Sequence, residues 1–452
     1  MKRQARGRYS RRTFLKGAGT LAFAPWIAPA SALGADGTVA PSNRITMGCI
    51  GVGAMGAGHC RSFTQYPEAQ VLAVCDVDTW RRENSAKTVE EAYAEQRRSG
   101  LYRGCAAYND LRELLGREDI DAVLIATGDR WHAPATVMAA EAGKDVYCEK
   151  PAALTIVEAQ AMVKAARRYG RVCQIGLQQR SAREFRVACQ LVQEGALGKI
   201  KTVYMRFATP SAEVDLPGEP VPDGLDWDLW LGPAPWRPYN SRFHRYGPPK
   251  GVVPWDFCRD FGGSHLSSDA VHAFDFVQWA LGMDQSGPTD IIPPETGRYP
   301  DLTFKYPGGV LLHVVDQRLD RRKHAIPKGW DEITSLQMFG ALLVGERGWL
   351  HVGRIGYLVS FPPQIAQPYV KPRERWTATD DHRRNWLSCI RTRRQPACDV
   401  AIGCRSTMLS HAGCIARWTG RALKWDPATA EFIGDDEANR MRRRAMREPW
   451  RV

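Results

Sequence analysis

From position 43 to position 176, short apolar runs alternate with longer amphipathic stretches. The stretches at 134–142 and 156–169 have the apolar spacing of helices. Alternation of strand and helix predicts a parallel sheet that is covered by helices on both faces. The runs that predict its strands are 44–50, 70–76, 122–126, 145–148 and 172–176.

The chain after position 176 has a different pattern. A helix is predicted at 182–194 and a strand at 200–208, and a long irregular stretch at 209–263 follows them. Further apolar runs then predict a second α/β domain. Its later strands are predicted at 302–306, 309–315, 342–344 and 349–352, and its later helices at 268–281, 380–392 and 405–417.

Length and charge narrow the class of protein. The 452 residues, 44% hydrophobic and 25% charged, are typical of a globular protein with two or three domains. The net charge of +13 first suggests an acidic partner, but residues 1–32 carry +7 and residues 440–452 carry +5. The rest of the chain is almost neutral, so we expect no nucleic-acid binding. The basic tail is expected either to be a mobile arm or to pair with acidic groups.

The first 32 residues have the pattern of an export signal. The segment SRRTFLK at 10–16 precedes a weakly apolar run and the small residues Ala30, Ser31 and Ala32. Its paired arginines are similar to the twin-arginine signal, which the export machinery reads as an address. No run of 18 apolar residues occurs, so no membrane-spanning segment is expected. We therefore expect a periplasmic or extracytoplasmic protein, with a linker at 33–42.

The 12 cysteines are scattered along the chain without a CxxC pair. Several of them lie in apolar runs that predict strands, where cysteine packs as a small hydrophobic residue. The sequence therefore indicates neither a metal site nor a disulfide scaffold.

A glycine-rich turn follows the first predicted strand and begins a helix. In this GxGxxG pattern Gly51 permits the tight turn, Gly53 lets the backbone approach a pyrophosphate, and Gly56 allows the helix to pack on the strand. Asp76, at the end of the second strand, is placed to accept a hydrogen bond from a ribose hydroxyl. This context predicts NAD, while Arg81 and Arg82 keep NADP open. The predicted turn residues also include Ala54 and Met55.

Glu149-Lys150-Pro151, directly after a predicted strand, and His272-Ala273-Phe274-Asp275 complete a resemblance. With the glycine turn upstream, the chain resembles the Gfo/Idh/MocA oxidoreductases, in an exported bacterial branch. The resemblance implies a Rossmann domain at 43–178 and a C-terminal substrate-binding and oligomerisation domain at 179–452. The second domain is expected to contain a large, mostly antiparallel open sheet, and the protein to be a homo-dimer or homo-tetramer. The segment TGDRWHAP at 127–134 is similar to the family's loop beside the nicotinamide, which adds Thr127, Trp131, His132, Glu149 and Lys150 to the cofactor residues.

The resemblance also implies the catalytic roles. Lys150 is expected to orient the reacting hydroxyl and to stabilise negative oxygen, and His272 to act as the general acid or base. The family's dehydrogenases usually carry an aspartate four residues before this histidine, but here that residue is Ser268 and the acid is Asp269. Because one residue turns a helical side chain by about 100°, Asp269 is expected to point elsewhere. Some relatives that use NAD for glycoside cleavage also lack an acid there.

The irregular stretch at 209–263 is rich in Pro, Gly and aromatic residues. Long structureless loops are often functional, and flat aromatic rings can stack on sugar rings. Alternatively, the tryptophans wedge the loop onto the body of the protein. His382 and His411 are expected to be structural. The predicted substrate residues are Lys150, Arg180, Trp227, Trp230, His244, Trp255, Arg259 and His272.

The sequence thus predicts an exported NAD(P)-dependent oxidoreductase. Hydride would pass between a sugar, glycoside or cyclitol carbinol and a tightly held nicotinamide. Two alternatives stay open. One is a glycoside hydrolase that uses NAD in transient oxidation, elimination, hydration and reduction. The other is a catalytically inactive sugar-binding protein that keeps the fold.

Overall fold

A computed structural model describes residues 43–248, 254–331, 333–369 and 381–452 of the protein. The predicted export signal and linker lie outside the described residues. The chain divides into units at 1–44 and 45–452, and the second is described below. Within the described ranges, no helix is both long and apolar enough to cross a bilayer.

The first sheet has six strands in the order β3-β2-β1-β4-β5-β6, and all of its pairings are parallel. β4 and β5 are buried along their whole length, as expected when helices cover both faces. The strands are β1 (Ile45–Ile50), β2 (Ala69–Cys75), β3 (Ala106–Tyr108), β4 (Ala122–Ile125), β5 (Asp145–Cys148) and β6 (Cys173–Ile175). The helices are α1 (Ala54–Phe63), α2 (Thr79–Ala92), α3 (Ala94–Arg98), α4 (Leu111–Leu115), α5 (Asp129–Glu141) and α6 (Ile156–Arg168).

The second sheet has nine strands in the order β13-β12-β11-β7-β10-β9-β8-β14-β15. Only β7 and β10 pair in parallel, so the expected mostly antiparallel sheet is confirmed. Its strands are β7 (Ile200–Arg206), β8 (Asp290–Ile292), β9 (Leu302–Lys305), β10 (Leu311–Val315), β11 (Ala341–Gly345), β12 (Trp349–Val352), β13 (Leu358–Phe361), β14 (Leu423–Asp426) and β15 (Glu431–Phe432). The remaining helices are α7 (Arg183–Gln193), α8 (Trp227–Leu231), α9 (Ser264–Ser268), α10 (Ala270–Ala280), α11 (His382–Thr392), α12 (Val400–Thr419) and α13 (Asp436–Arg440).

The two sheets share one apolar core. A continuous buried cluster runs from Ile125 and Cys148 of the first sheet to Phe304 and Leu350 of the second. The long helix α12 packs against both α6 and α10, and so joins the two halves. One side of the second sheet therefore shares its core with the first sheet, while a separate cluster that includes Tyr204, Leu342 and Trp349 belongs to the second half alone. Eleven of the twelve cysteines are buried, and only Cys105 is partly exposed.

Three predicted helices have different bounds in the structure. The helix expected to begin at Pro134 begins at Asp129, with Pro134 in its interior. Pro134 has no N–H to donate to the carbonyl of Arg130, and Arg444 of the C-terminal tail donates to that oxygen instead at 2.9 Å. The helix expected at 268–281 is two helices, α9 and α10, which meet at Asp269. The helix predicted at 405–417 is longer, because α12 begins directly after the capping residue Asp399.

The short strands β3, β8, β13, β14 and β15 had no sequence signal, because runs of two to four residues carry no clear periodicity. The irregular stretch 209–263 contains α8 and a short 3₁₀ turn, and residues 249–253 of it lie outside the described residues. The basic tail pairs with acidic groups and is not a mobile arm. Its ion pairs join Arg442 to Glu431, Arg444 to Glu158 and Arg447 to Asp228.

Candidate active site and cofactor cleft

The glycine turn between β1 and α1 forms the floor of a cleft at the carboxyl ends of the parallel strands. Gly51 has a φ of 79°, and a Cβ there would lie 2.8 Å from the backbone of Ala126. A Cβ on Gly56 would lie 1.8 Å from the carbonyl oxygen of Gly51. Both positions therefore require glycine, and the first N–H groups of α1 point into the cleft. The turn fits the pyrophosphate of a dinucleotide.

Asp76 lies in the wall of this cleft. Its carboxylate accepts from the N–H groups of Val52 at 2.8 Å and Asp78 at 3.0 Å, while burial raises its pKa. Arg82 is occupied, since it donates to the carbonyl of Asp76 and to Asn109. Arg81 is held by two carbonyl oxygens, and its Nη1 faces Gly53. A positive group thus lies beside the glycine turn, and a carboxylate lies where a 2′-phosphate would be repelled.

Residues from the irregular stretch form the opposite wall of the cleft. Trp230, Phe243, His244 and Trp255 line it together with the glycine turn. Trp230 Nε1 donates to His244 Nδ1 at 3.0 Å, so Nε2 of that ring carries the proton and donates to Asp78 at 3.1 Å. Trp230, His244 and Trp255, which were expected to bind substrate, therefore belong to the cofactor cleft.

The loop after β4 and the first turn of α5 also line the cleft. Thr127 and Trp131 line it, and Trp131 Nε1 donates to the carbonyl of Leu229 at 3.0 Å. The guanidinium of Arg130 stacks on Trp230 at 3.6 Å, and burial lowers its pKa to about 9. His132 ties this loop to the lysine segment, because its Nδ1 lies 2.6 Å from the carbonyl oxygen of Pro151 and its Nε2 3.1 Å from that of Thr127.

Lys150 and His272 lie close enough for their charges to interact, beside the cleft, although neither side chain lines it. Lys150 follows β5, and the Lys150–Pro151 bond is cis. Its Nζ donates to the carbonyl of Ser268 at 2.9 Å, one turn before His272. Burial lowers the pKa of His272 well below its usual value, and the charges of Lys150 and Arg354 lower it further. His272 is therefore neutral near pH 7 and can accept a proton.

Two residues without a sequence signal hold the ring of His272. In the amide orientation that satisfies its neighbours, Gln179 donates to His272 Nδ1 at 2.8 Å and accepts from Arg354 Nη2 at 2.7 Å. Arg354 Nη2 also lies 3.3 Å from His272 Nε2, and Phe339 packs edge-on against the imidazole. An amide thus takes the orienting role that a carboxylate usually has beside a catalytic histidine.

Carboxylates reach the site from elsewhere in the chain. Asp269 contacts His265 at 2.6 Å, and so points away from His272 as its helical position predicts. Ser268 Oγ donates to Asp256 Oδ2 at 3.3 Å. Asp129, at the start of α5, is fully buried and has one oxygen without a partner in the described structure. Burial, with the charge of Asp256, raises the pKa of Asp129 to about 7, against the opposing effect of Lys150.

Family models match both halves of the chain. One, an oxidoreductase family model with an NAD-binding Rossmann fold, matches residues 45–177. The second, an oxidoreductase family C-terminal alpha/beta domain, matches residues 190–306 and 368–452. The chain belongs to the Gfo/Idh/MocA family. The glycine turn and Asp76 therefore belong to a binding site for NAD.

Similar proteins include enzymes of two kinds. The chain is 32% identical over 208 residues to an alpha-N-acetylgalactosaminidase from Shewanella oneidensis, a match that covers 42% of this chain and 44% of that protein. The match thus spans less than half of that curated relative. Among solved structures, a myo-inositol 2-dehydrogenase from Lactobacillus plantarum has a TM-score of 0.52 at 18% identity, and covers 84% of this chain and 99% of its own. A levoglucosan dehydrogenase in complex with NADH and levoglucosan has a TM-score of 0.53 at 16% identity, with the same coverage.

Glu149, which the resemblance placed among the cofactor residues, has a structural role instead. The carboxylate of Glu149 does not face the cleft, because it is enclosed by His59 at 2.7 Å, Gln178 at 2.9 Å and the N–H of Lys150. It anchors α1 to the end of β5. His382 and His411 are buried and bonded to backbone carbonyls, as expected for structural residues.

Three predicted substrate residues are also not brought to the site. All three guanidinium nitrogens of Arg180 donate to Asp275 and Asp284. Trp227 stacks on Trp230 at 4.4 Å inside the aromatic cluster of the irregular stretch, so the wedge interpretation holds for it. Arg259 stacks on Trp418 at 4.0 Å. Each side chain is occupied by a structural partner that no local sequence pattern indicates.

Proposed function

We propose that this protein transfers a hydride between a carbinol of a sugar, glycoside or cyclitol and a tightly held NAD. The observation that carries this proposal is the pair formed by Lys150 and a neutral His272 beside the cofactor cleft. NAD, when bound, supplies the hydride acceptor and donor. The reaction also needs a cation that stabilises the reacting oxygen and a base that accepts the hydroxyl proton.

The residues divide the work by their chemistry. Lys150 Nζ donates to the substrate hydroxyl and stabilises the oxygen as negative charge develops on it. His272 accepts the hydroxyl proton, because burial and two neighbouring cations keep its ring neutral. Gln179 donates to Nδ1 and so holds the ring in one orientation, in which Nε2 of the neutral ring carries the proton. Nε2 accepts the hydroxyl proton only when the amide of Gln179 turns and its oxygen accepts from Nδ1–H. The buried surroundings of His272 exclude water from the reacting atoms.

A second function is a redox-neutral glycoside hydrolase that uses NAD within each cycle. The relative named alpha-N-acetylgalactosaminidase favours it, and so does Ser268 in place of an acid. Such a reaction also needs an acid that still holds its proton near pH 7, to protonate the leaving aglycone. Asp129, with a pKa of about 7, has that property.

Incubation with aryl glycosides separates the two functions. Sugar-dependent NADH accumulation without aglycone release supports the oxidoreductase, and aglycone release without added NAD supports the hydrolase. Lys150→Ala and His272→Ala are expected to abolish either activity, while the exposed Lys164→Ala serves as the matched control. If the wild-type protein bound sugars without turnover in either assay, and neither site variant changed this result, the inactive sugar-binding alternative would replace both proposals.

We further propose that the chain is exported by the twin-arginine machinery and acts as a homo-oligomer. The arginine pair at 11–12 supports the first part, and the open nine-stranded sheet supports the second. Because free NAD is scarce outside the cytoplasm, export requires a cofactor that is loaded before transport and then retained. We expect the double variant Arg11→Lys, Arg12→Lys to be lost from the periplasmic fraction if the twin-arginine route carries the protein. Light scattering measures the molar mass in solution, which should exceed that of one chain.

A further inference from the structure

Arg354 lies beside His272 with its charge unpaired. It is in the turn between β12 and β13, and its Nη2 lies 3.3 Å from His272 Nε2. Gln179 accepts from its Nε at 2.5 Å and from its Nη2 at 2.7 Å. Within the described ranges, no carboxylate forms an ion pair with it. Buried Arg180 nearby is, by contrast, paired with two aspartates.

We propose that the site takes a sugar that carries a carboxylate, such as a uronic acid or its glycoside, and that Arg354 binds this group. The proposal rests on the proposed function, because it names the substrate class of the same site. A guanidinium that lies next to a catalytic histidine and has no carboxylate partner is available to form a charge-assisted hydrogen bond with an anionic ligand. The residue is exposed on one side, so that a ligand can reach it.

The backbone around Arg354 supports a binding role. Its guanidinium stacks on Phe339 at 3.9 Å, and Phe339 and Ile355 have φ values of 62° and 64°. A non-glycine residue in this region costs about 1–3 kcal/mol, and such residues persist mainly at functional sites. Phe207 and Ser264 also have positive φ, and Phe207 contacts Phe339. Three of the six such non-glycine residues in the described chain, Phe207, Phe339 and Ile355, thus lie around Arg354.

The hydrogen bonds of Arg354 also limit where an anion can bind. Gln179 accepts from Nε and Nη2, and Nη2 also faces His272 Nε2 at 3.3 Å, so Nη1 remains for a ligand. A carboxylate oxygen suits this position, because it accepts a charge-assisted hydrogen bond. Because Nη2 is so close to His272, the carboxylate must lie near the reacting hydroxyl of the same molecule.

Binding of the carboxylate would also change the base. Arg354 is one of the charges that lower the pKa of His272. A substrate carboxylate on Arg354 cancels that charge, and so raises the pKa of His272 and its affinity for the hydroxyl proton. A neutral sugar gives no such effect.

The test compares uronosides with neutral glycosides on the NAD-loaded protein. Calorimetric titrations use methyl glucuronoside, methyl galacturonoside and the corresponding neutral methyl glycosides. A titration with glucose 6-phosphate tests whether the site prefers a phosphate to a carboxylate. We expect uronosides to bind about ten- to a hundredfold more tightly than neutral glycosides, as a charge-assisted pair would give. Arg354→Gln should reduce this ratio to about one, Arg354→Lys should keep part of it, and exposed Arg298→Gln should leave it unchanged.

Three outcomes would overturn the proposal. They are equal binding of charged and neutral sugars, a ratio that survives Arg354→Gln in a protein with wild-type circular dichroism, and a preference for the phosphorylated sugar. Where any of these outcomes came with equal turnover of neutral and charged glycosides that still depended on Lys150, the proposed function would stay intact. Absence of all sugar binding and turnover would refute both.

Discussion

At the scale of single residues, the site is defined by groups whose ordinary chemistry is changed by burial. Lys150 and the glycine turn could be predicted from the sequence, because each lies within a short motif whose geometry is local. Arg354 and Gln179 could not be, since they meet His272 only after β12, β13 and α10 have packed together. Asp129 lay within a recognised loop, but its buried, unpaired oxygen depends on residues distant in sequence.

Asp129 gives a prediction about pH and stability. Its pKa is 3.8 in the unfolded chain and about 7 in the folded protein. Between these values the folded state holds a proton that the unfolded state has lost, so the free energy of unfolding falls as the pH rises through this window. The loss reaches at most about 4 kcal/mol. We therefore expect Asp129→Asn to gain stability relative to wild type between pH 4 and pH 8.

Urea unfolding at both pH values measures this difference. The exposed Asp223→Asn is the control, and its effect on stability should be small at either pH. An Asp129→Asn variant whose stability differs from wild type by the same amount at pH 4 and pH 8 would show that Asp129 is ionised in the folded protein.

Two glycines of α1 give a matched test of the cofactor cleft. A Cβ on Gly56 would lie 1.8 Å from the carbonyl oxygen of Gly51, whereas a Cβ on Gly58 has no atom within 4 Å. Gly56→Ala must therefore push α1 away from the glycine turn, at a cost of about 1–3 kcal/mol. We expect it to weaken NAD binding at least tenfold, and Gly58→Ala to leave it unchanged. Equal NAD affinities in a fluorescence titration would place the dinucleotide elsewhere.

At the scale of elements, the parallel sheet was predictable and the covering of the cofactor cleft was not. Strands of the first sheet are buried on both faces, so their apolar runs are continuous and easy to recognise. The wall made by Trp230, Phe243 and His244 comes from a stretch with no periodicity. It is held to the Rossmann domain by specific contacts, such as His244 with Asp78, which leave no trace in local sequence.

The C-terminal tail is expected to support NAD binding through α5. Arg444 donates to the carbonyl of Arg130, which Pro134 leaves without its helical donor, and to Glu158 at 2.6 Å. Arg444→Ala leaves both acceptors unsatisfied, at a cost of about 1–3 kcal/mol. We expect lower stability and a several-fold weaker NAD affinity. The neighbouring Arg443→Ala is exposed and should change neither. Identical NAD affinities of the two variants would show that the tail does not support NAD binding through α5.

At the scale of the whole molecule, one core joins the cofactor sheet to the nine-stranded sheet. The predicted domain boundary near 178 lies between β6 of the first sheet and β7 of the second, but no sequence pattern indicates that Ile125 and Phe304 belong to the same buried cluster. The reason is physical, because apolar periodicity marks which face of an element is buried and not which element covers it. α12, which packs against helices from both halves, makes the connection.

A shared core predicts that the two halves unfold together and that NAD stabilises both. Ligand that binds only the native state adds about 2.7 kcal/mol at a concentration a hundred times its Kd. Calorimetry should therefore show a single unfolding transition that moves upward as a whole when NAD is added. Hydrogen exchange should slow in β9 and β12 as well as in β1, although no residue of β9 or β12 lines the cofactor cleft. Gly56→Ala, as the control, should show the same single transition without the shift. Two transitions, of which NAD moves only one, would mean that the cluster from Ile125 to Phe304 does not transmit stability between the sheets.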